Sequence, residues 1–229
     1  MRYFVIAIAA LLIWVPSAMA MGDQTFSYAR IEADVGEHDG EAAYSWNGEA
    51  WVGGNIHKLY LTTQGDAAAN EVHEAEVQLL YSRMIADFWD VQMGVRHDLE
   101  PSGLSHAVLG VQGLAPYLFE IDAAAFLSED GDVSARAEVE YEFIFTQRLI
   151  GSPYVEVSAY ASDIPELEVA SGIGSVEAGF QLRYEITRKF APYVELNYER
   201  SLGGTADLRR ANGEEVEATI LRVGLRLIF

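Results

Sequence analysis

The chain has 229 residues, no cysteine, and 35 acidic against 15 basic side chains, for a formal net charge of -20. This balance argues against nucleic acid as a partner and favours cations or a cationic partner, although acidic residues that merely keep an exported surface solvated would give the same charge. Without cysteine the chain forms no disulfide, so its stability must come from packing or from closure of a sheet.

Residues 1–20 are predicted to be a secretory signal peptide, followed by one domain over residues 21–229. Arg2 gives a basic start, an apolar run extends from Tyr3 to Val15, and Ala18-Met19-Ala20 is a small-x-small cleavage site. The apolar run is too short to cross a bilayer as a helix. No later segment approaches ~18 uninterrupted apolar residues, so no transmembrane helix is predicted.

Alternation of apolar and polar residues after Thr25 predicts twelve β-strands. The clearest is Val133 to Phe145, where apolar residues alternate with a polar set that includes Glu138, Glu140 and Glu142. In chain order the predicted strands are Phe26 to Val35, Ala43 to Val52, His57 to Gln64, Val72 to Arg83, Phe88 to Asp98, Ser105 to Gly113, Tyr117 to Ser128, Val133 to Phe145, Tyr154 to Ala161, Ser175 to Thr187, Pro192 to Arg200 and Glu217 to Phe229.

The connections between these strands alternate between short, aromatic-flanked turns and longer polar loops, as in outer-membrane barrels with their short turns in the periplasm. The longest polar connections are Ser162 to Gly174 and Ser201 to Glu215. Three Pro-Tyr pairs, at Tyr117, Tyr154 and Tyr193, are predicted to line the periplasmic membrane interface as an aromatic girdle together with Phe88-Trp89.

Alternation alone does not distinguish a soluble barrel from a membrane barrel, because the two bury opposite faces. Charged residues recur at mid-strand, twelve strands are too many for a small soluble barrel, and the chain ends on the aromatic Phe229. We therefore predict an all-β fold, a transmembrane antiparallel up-and-down β-barrel of about 12 strands in the bacterial outer membrane. In its last strand, Leu221 to Leu227 present alternate apolar residues to lipid, and Arg222 and Arg226 face inward.

The inward face of such a barrel is predicted to be net negative. Seven bases are placed there, Arg30, Lys58, Arg96, Arg136, Arg183, Arg222 and Arg226. Seventeen acids accompany them, Glu32, Asp34, Glu49, Glu74, Glu76, Asp90, Asp98, Glu120, Asp122, Glu138, Glu140, Glu142, Glu156, Glu177, Glu185, Glu195 and Glu199. Two interpretations stay open: an internal salt-bridge network that holds a narrow barrel shut, and a cation-selective conduit.

A candidate metal site consists of His97, Asp98 and His106, which bracket one hairpin loop and carry ligand types suited to a transition metal. The period-two pattern places the two histidines on opposite faces, and solvated rim histidines are the alternative interpretation.

The sequence contains no Gly-x-Ser-x-Gly, His-Glu-x-x-His, Walker or dinucleotide-binding motif, so we do not expect an enzyme. Ser102, Ser105 and His106 lie near acidic residues in one loop region, which leaves a barrel phospholipase or protease as a remaining alternative.

Several segments resemble the copper resistance protein B family. They are Trp51–Asn55 (WVGGN), Glu74–Arg83 (EAEVQLLYSR), Phe88–Asp98 (FWDVQMGVRHD), Val111–Tyr117 (VQGLAPY) and Gly203–Asp207 (GGTAD). The resemblance implies a small monomeric outer-membrane barrel in copper homeostasis and resistance, with outer-membrane lipid, copper and periplasmic copper proteins as candidate partners.

Members of that family commonly carry a Met- and His-rich segment ahead of the barrel, and soft ligands of this kind suit Cu(I). In this sequence Met21 is the one methionine between the predicted cleavage site and the first strand. The expected function is therefore copper homeostasis or resistance through cation passage or sequestration in an acidic lumen. The alternative is a structural or general cation-permeable barrel with no direct copper role.

Overall fold

The computed structural model describes residues 24–38, 41–68, 71–101 and 103–229. The predicted signal peptide lies outside these ranges. The described residues form strands β1 (Phe26–His38), β2 (Glu41–Gly53), β3 (His57–Ala68), β4 (Glu71–Ala86), β5 (Trp89–Glu100), β6 (Ser105–Ala115), β7 (Phe119–Ser128), β8 (Val133–Tyr141, continued by Phe143–Ile144), β9 (Leu149–Tyr160), β10 (Gly172–Tyr184), β11 (Phe190–Ser201) and β12 (Glu217–Ile228).

These strands form one closed antiparallel barrel. Each strand pairs with the next along the chain, and β12 returns to pair with β1. At this closing seam Ile31 lies opposite Leu227 and Glu32 lies opposite Arg226. The predicted fold class, an all-β up-and-down barrel of twelve strands, is confirmed.

The two faces of the wall carry opposite chemistry. Large apolar side chains on the outside stay exposed, as at Leu109 (60%) and Leu221 (59%), whereas Glu76 (1%) and Arg183 (4%) on the inside are buried. A soluble protein would bury the apolar set, since roughly 25 cal/mol is gained for each Å² of apolar surface removed from water. The exposed apolar face is therefore the surface expected to meet lipid.

Most strands extend beyond their predicted limits, and β9 shows the largest difference. It begins at Leu149 rather than at Tyr154. Pro153 signals a turn because it lacks a backbone donor, yet it lies within β9 opposite Phe180 of the neighbouring strand. Tertiary pairing on both sides of β9 therefore overrides the local turn signal.

The long connection after β11 contains a helix that the sequence pattern did not predict. Helix α1 (Gly203–Asn212) buries Thr205 and Ala206 and ends at Gly213, whose φ of 80° suits a residue without a Cβ atom. Across the described ranges, no helix has the length and apolar character needed to span a membrane.

The predicted Pro-Tyr girdle was wrong at two of its three positions. Tyr117 is exposed, but Tyr154 and Tyr193 point into the barrel. Tyrosine suits either place because its ring is apolar and its hydroxyl polar. On the short-turn side the outer wall instead carries a contiguous aromatic cluster of Phe119, Tyr141, Phe143 and Phe145.

Candidate functional site in the barrel lumen

The lumen contains two cavities, each reaching one end of the barrel. The long-loop chamber, of about 770 Å³, is lined from the long connections by residues such as Pro101, Leu167 and Glu215. The short-turn chamber, of about 350 Å³, is lined by Arg188 and Lys189 of the last short turn. Fourteen of the seventeen predicted inward acids line these chambers, Glu76 is buried in the wall, and Asp90 and Asp122 line neither chamber.

Five carboxylates follow one another around the inner wall on five consecutive strands. Asp122 lies opposite Glu138, Glu138 opposite Glu156, Glu156 opposite Glu177, and Glu177 opposite Glu199. We call these five residues the carboxylate arc. Like charges directly opposite one another on neighbouring strands destabilise a sheet, so this arrangement opposes barrel stability unless cations neutralise it.

Internal bases neutralise only a small part of the carboxylate arc. Arg136 Nε lies 3.6 Å from Glu156 Oε1. Glu177 accepts hydrogen bonds from the Tyr154 hydroxyl, at 2.9 Å, and from the Asn197 amide. Within the described ranges, the other four arc carboxylates have no basic side chain within 4 Å. The arc therefore has the capacity to attract cations from outside the protein.

A separate network of ion pairs crosses the lumen. Oε2 of Glu76, on β4, lies 2.8 Å from Nη1 of Arg96. It lies 3.4 Å from Nη2 of Arg136, on the distant strand β8. Both guanidinium groups lie over the ring of Phe126, at 5.0 and 5.8 Å from its centroid. This network ties opposite sides of the wall together.

An apolar cluster inside the lumen had no counterpart in the sequence analysis. Tyr60, Leu80, Val108 and Phe126 form a buried group on β3, β4, β6 and β7. These residues occupy inward positions of otherwise polar faces. On this side of the barrel, apolar side chains fill part of the lumen. The carboxylate arc begins on β7 and continues along the other side.

The closing seam has the predicted register. Arg226 Nε lies 2.6 Å from Glu32 Oε1, and Arg222 Nε lies 3.7 Å from Asp34 Oδ1. Tyr193 also donates to Asp34, at 2.8 Å. Both arginines of the last strand therefore point inward, as predicted, and are paired with acids of the first strand.

The structure brings together two of the three candidate metal ligands. His106 Nε2 and Asp98 Oδ2 are 3.0 Å apart in the lumen wall. His97 lies on the outer face, where its Nδ1 is 3.2 Å from Ser105 Oγ. Arg96 also binds Asp98, at 2.5 Å, so a metal ion would compete with a guanidinium for that carboxylate.

Among the residues that the structure describes, no group of three or more His, Cys, Asp or Glu is placed to hold a metal ion. Metal binding at His97, Asp98 and His106 stays a prediction. The separation of the histidines follows from period-two geometry, because residues 97 and 106 occupy opposite faces of adjacent strands.

The long-loop end of the lumen is covered by α1 and by the connection between β9 and β10. Thr205 Oγ1 accepts a hydrogen bond from the backbone N–H of Ala170 at 3.0 Å, and Asn212 donates to Glu168 at 2.9 Å. Arg209 of α1 lines the long-loop chamber. The two segments support each other across the mouth of that chamber.

A surface carboxylate, Asp163, stabilises the connection between β9 and β10. The backbone N–H of Ser171 donates to Asp163 Oδ1 at 2.8 Å, and this hydrogen bond lowers the pKa of the Asp163 carboxyl group. The bond therefore favours the charged carboxylate, which is the form that accepts it at neutral pH.

Comparison with known structures defines the class of protein. The NanC porin structure has a TM-score of 0.57 and 14% identity, covering 88% of this chain and 99% of that one. The KdgM porin has a TM-score of 0.55 and 11% identity, covering 87% and 99%. These likenesses show a porin-type β-barrel fold and nothing further.

The chain belongs to the copper resistance protein B family. The family described as copper resistance protein B precursor matches residues 24–229. The copper resistance protein B homolog of Pseudomonas syringae pv. tomato is 39% identical over 189 residues, or 82% of this chain and 64% of that relative. Copper resistance protein B of Escherichia coli is 35% identical over 187 residues, or 81% and 63%. The chain thus spans slightly less than two thirds of each relative.

Proposed function

We propose that this protein acts in copper resistance at the bacterial outer membrane, by drawing copper or other cations into the long-loop chamber. The carboxylate arc is the observation that carries the proposal. Its acids oppose one another directly and have few internal bases, so a cation from outside would relieve their repulsion. Family membership supports copper as the relevant cation.

The outer-membrane location is supported by three properties of the chain. The barrel is closed, so no strand edge is left unpaired where hydrogen-bonding water is absent. Its outer face is apolar and exposed. Its fold is that of porins.

Copper tolerance of a deletion strain tests the proposal. The strain is complemented with the wild-type gene, with Glu138→Gln/Glu177→Gln/Glu199→Gln, or with a charge-matched control. The control, Glu37→Gln/Asp130→Asn/Glu214→Gln, removes the same number of negative charges at positions outside the carboxylate arc. We expect the arc variant to lose tolerance at equal barrel abundance and the control to retain it. Equal tolerance of all three complemented strains would reject the proposal.

A second candidate function is a structural or general barrel whose copper phenotype is indirect. The network of Glu76, Asp98, Arg96 and Arg136 favours it, because its two acids balance its two bases and link distant strands of the wall. In that case the arc variant would tolerate copper like the wild type, and changes in the network would lower barrel stability. The tolerance assay above therefore separates the two functions.

A further inference from the structure

The metal-binding side chains around the long-loop chamber offer oxygen and nitrogen atoms as ligands. Fourteen acidic residues line this chamber, together with the histidines His73 and His106. The chain has no cysteine. Neither methionine of the described ranges, Met84 or Met93, lines this chamber or the short-turn chamber. A cation in the lumen therefore meets carboxylates and imidazoles and, along the described wall of the chambers, no sulfur ligand.

The two methionines lie where a cation in the long-loop chamber does not meet them. Met93 on β5 is 49% exposed on the outer face of the wall. Its partners on the neighbouring strands, Tyr81 and Leu109, are exposed on the same face. Met84 lies near the short-turn end of β4, opposite Asp90. The soft thioether ligands are thus separated from the acid-rich chamber.

His106 supplies a nitrogen ligand in the wall of the long-loop chamber. The residue is 8% exposed and lines the chamber. Its Nε2 lies 3.0 Å from Asp98 Oδ2, whereas its Nδ1 has no hydrogen-bond partner in the described part of the chain. When Nε2–H donates to Asp98, the lone pair of Nδ1 stays free, and metal-binding histidines are commonly oriented by a carboxylate in this way. Asp98 is then the residue that orients His106 rather than a metal ligand itself.

The charge around the long-loop chamber favours a doubly charged cation. Fourteen acidic residues line it against six arginines. At an effective dielectric constant near 20, one further unit of charge on a cation about 10 Å from a single uncompensated carboxylate changes its Boltzmann weight roughly tenfold. Cu(II) therefore gains more from this chamber than Cu(I) does.

We propose that the long-loop chamber takes up copper as Cu(II) and discriminates against Cu(I). This inference rests on the proposed function, because it names the oxidation state of the copper that the carboxylate arc attracts. Imidazole nitrogen and carboxylate oxygen suit Cu(II), whereas thiolate and thioether sulfur select Cu(I). The ligand types and the charge of the chamber act in the same direction.

Equilibrium dialysis of the purified full chain in detergent micelles at neutral pH tests the proposal. Binding is measured with Cu(II), with Cu(I) kept reduced by ascorbate under anaerobic conditions, and with Ag⁺ in chloride-free buffer as a soft monovalent ion that needs no reductant. We expect the wild type to bind Cu(I) and Ag⁺ at least about tenfold more weakly than Cu(II), from the charge difference alone. This comparison uses the wild-type protein, so it does not depend on the folding of a variant.

Two variants locate the selectivity in the chamber. Glu138→Gln/Glu177→Gln/Glu199→Gln should weaken Cu(II) binding more than Cu(I) binding, because the doubly charged ion loses more attraction. Met84→Leu/Met93→Leu should keep the preference of the wild type.

The outcomes distinguish this inference from the proposed function. Wild-type protein that binds Cu(I) or Ag⁺ as tightly as Cu(II) would overturn the selectivity and leave the proposed function standing. A methionine variant that loses the preference for Cu(II), or an arc variant that keeps it in full, would likewise overturn the selectivity. Wild-type protein that binds copper in neither oxidation state would overturn the proposed function and this inference together.

Discussion

Replacing Glu76 with glutamine should destabilise the barrel by about 3 kcal/mol, at the lower end of the cost of breaking a buried ion pair. The Glu76 side chain is 1% exposed and receives Arg96 at 2.8 Å, Arg136 at 3.4 Å and the amide of Gln78 at 2.6 Å. Glutamine keeps the volume but leaves both guanidinium groups with less negative charge. We expect the smaller cost because Arg96 keeps its ion pair with Asp98, at 2.5 Å.

The measurement is urea-induced unfolding of the protein reconstituted in phospholipid vesicles, followed by tryptophan fluorescence. Glu217→Gln is the matched control, because its pair with Arg200 spans 3.9 Å and both side chains are more than half exposed. Such a surface pair contributes about 0–1 kcal/mol. A loss for Glu76→Gln no larger than that for Glu217→Gln would refute the view that this network ties the wall together.

Three further changes test individual features of the lumen. Tyr193→Phe removes a 2.8 Å hydrogen bond to Asp34 and should lower the free energy of unfolding by about 1.5–3 kcal/mol in the same urea assay. Gly224→Ala should reduce the yield of folded, heat-modifiable barrel on gels, because a Cβ there would lie 2.3 Å from the Tyr193 ring; an unchanged yield would contradict this packing. His106→Ala should weaken copper binding in equilibrium dialysis more than His97→Ala, because His106 lies in the lumen and His97 on the outer face; equal effects would argue against a ligand role for His106.

Strand number, strand faces and seam register could all be predicted from the sequence, because a membrane barrel requires nearly strict alternation. A slip of one residue would turn Arg222 and Arg226 toward lipid, at about 2–4 kcal/mol for each arginine near mid-depth. The observed pairing of Arg226 with Glu32 confirms this reasoning. Where such a penalty exists, local sequence determines the face of each residue.

Features that depend on pairing between strands could not be predicted in the same way. The inward direction of Glu138 and Glu177 follows from alternation, but their alignment in one arc depends on the register of each hairpin, which turn geometry sets. Helix α1 was missed because it begins with Gly203 and Gly204, which are poor helix formers. Tertiary contacts at Thr205 and Ala206 stabilise it instead.

The candidate metal site also combines a feature that alternation predicts with a contact that it does not predict. Sequence proximity grouped His97, Asp98 and His106, and the period-two pattern already indicated that the histidines diverge. The structure adds the contact of Arg96 with Asp98, which no spacing rule contains. The carboxylate arc, assembled from five strands, was present in the sequence only as separate inward acids.

The most direct test of the central claim is copper binding by the purified full chain in detergent micelles, measured by equilibrium dialysis at neutral pH. The wild type is compared with Glu138→Gln/Glu177→Gln/Glu199→Gln and with Glu37→Gln/Asp130→Asn/Glu214→Gln. We predict at least a roughly tenfold weaker affinity for the arc variant, a loss of about 1.4 kcal/mol, and unchanged affinity for the control. Equal copper affinity of the arc variant and the wild type would contradict the claim that the carboxylate arc holds the cation.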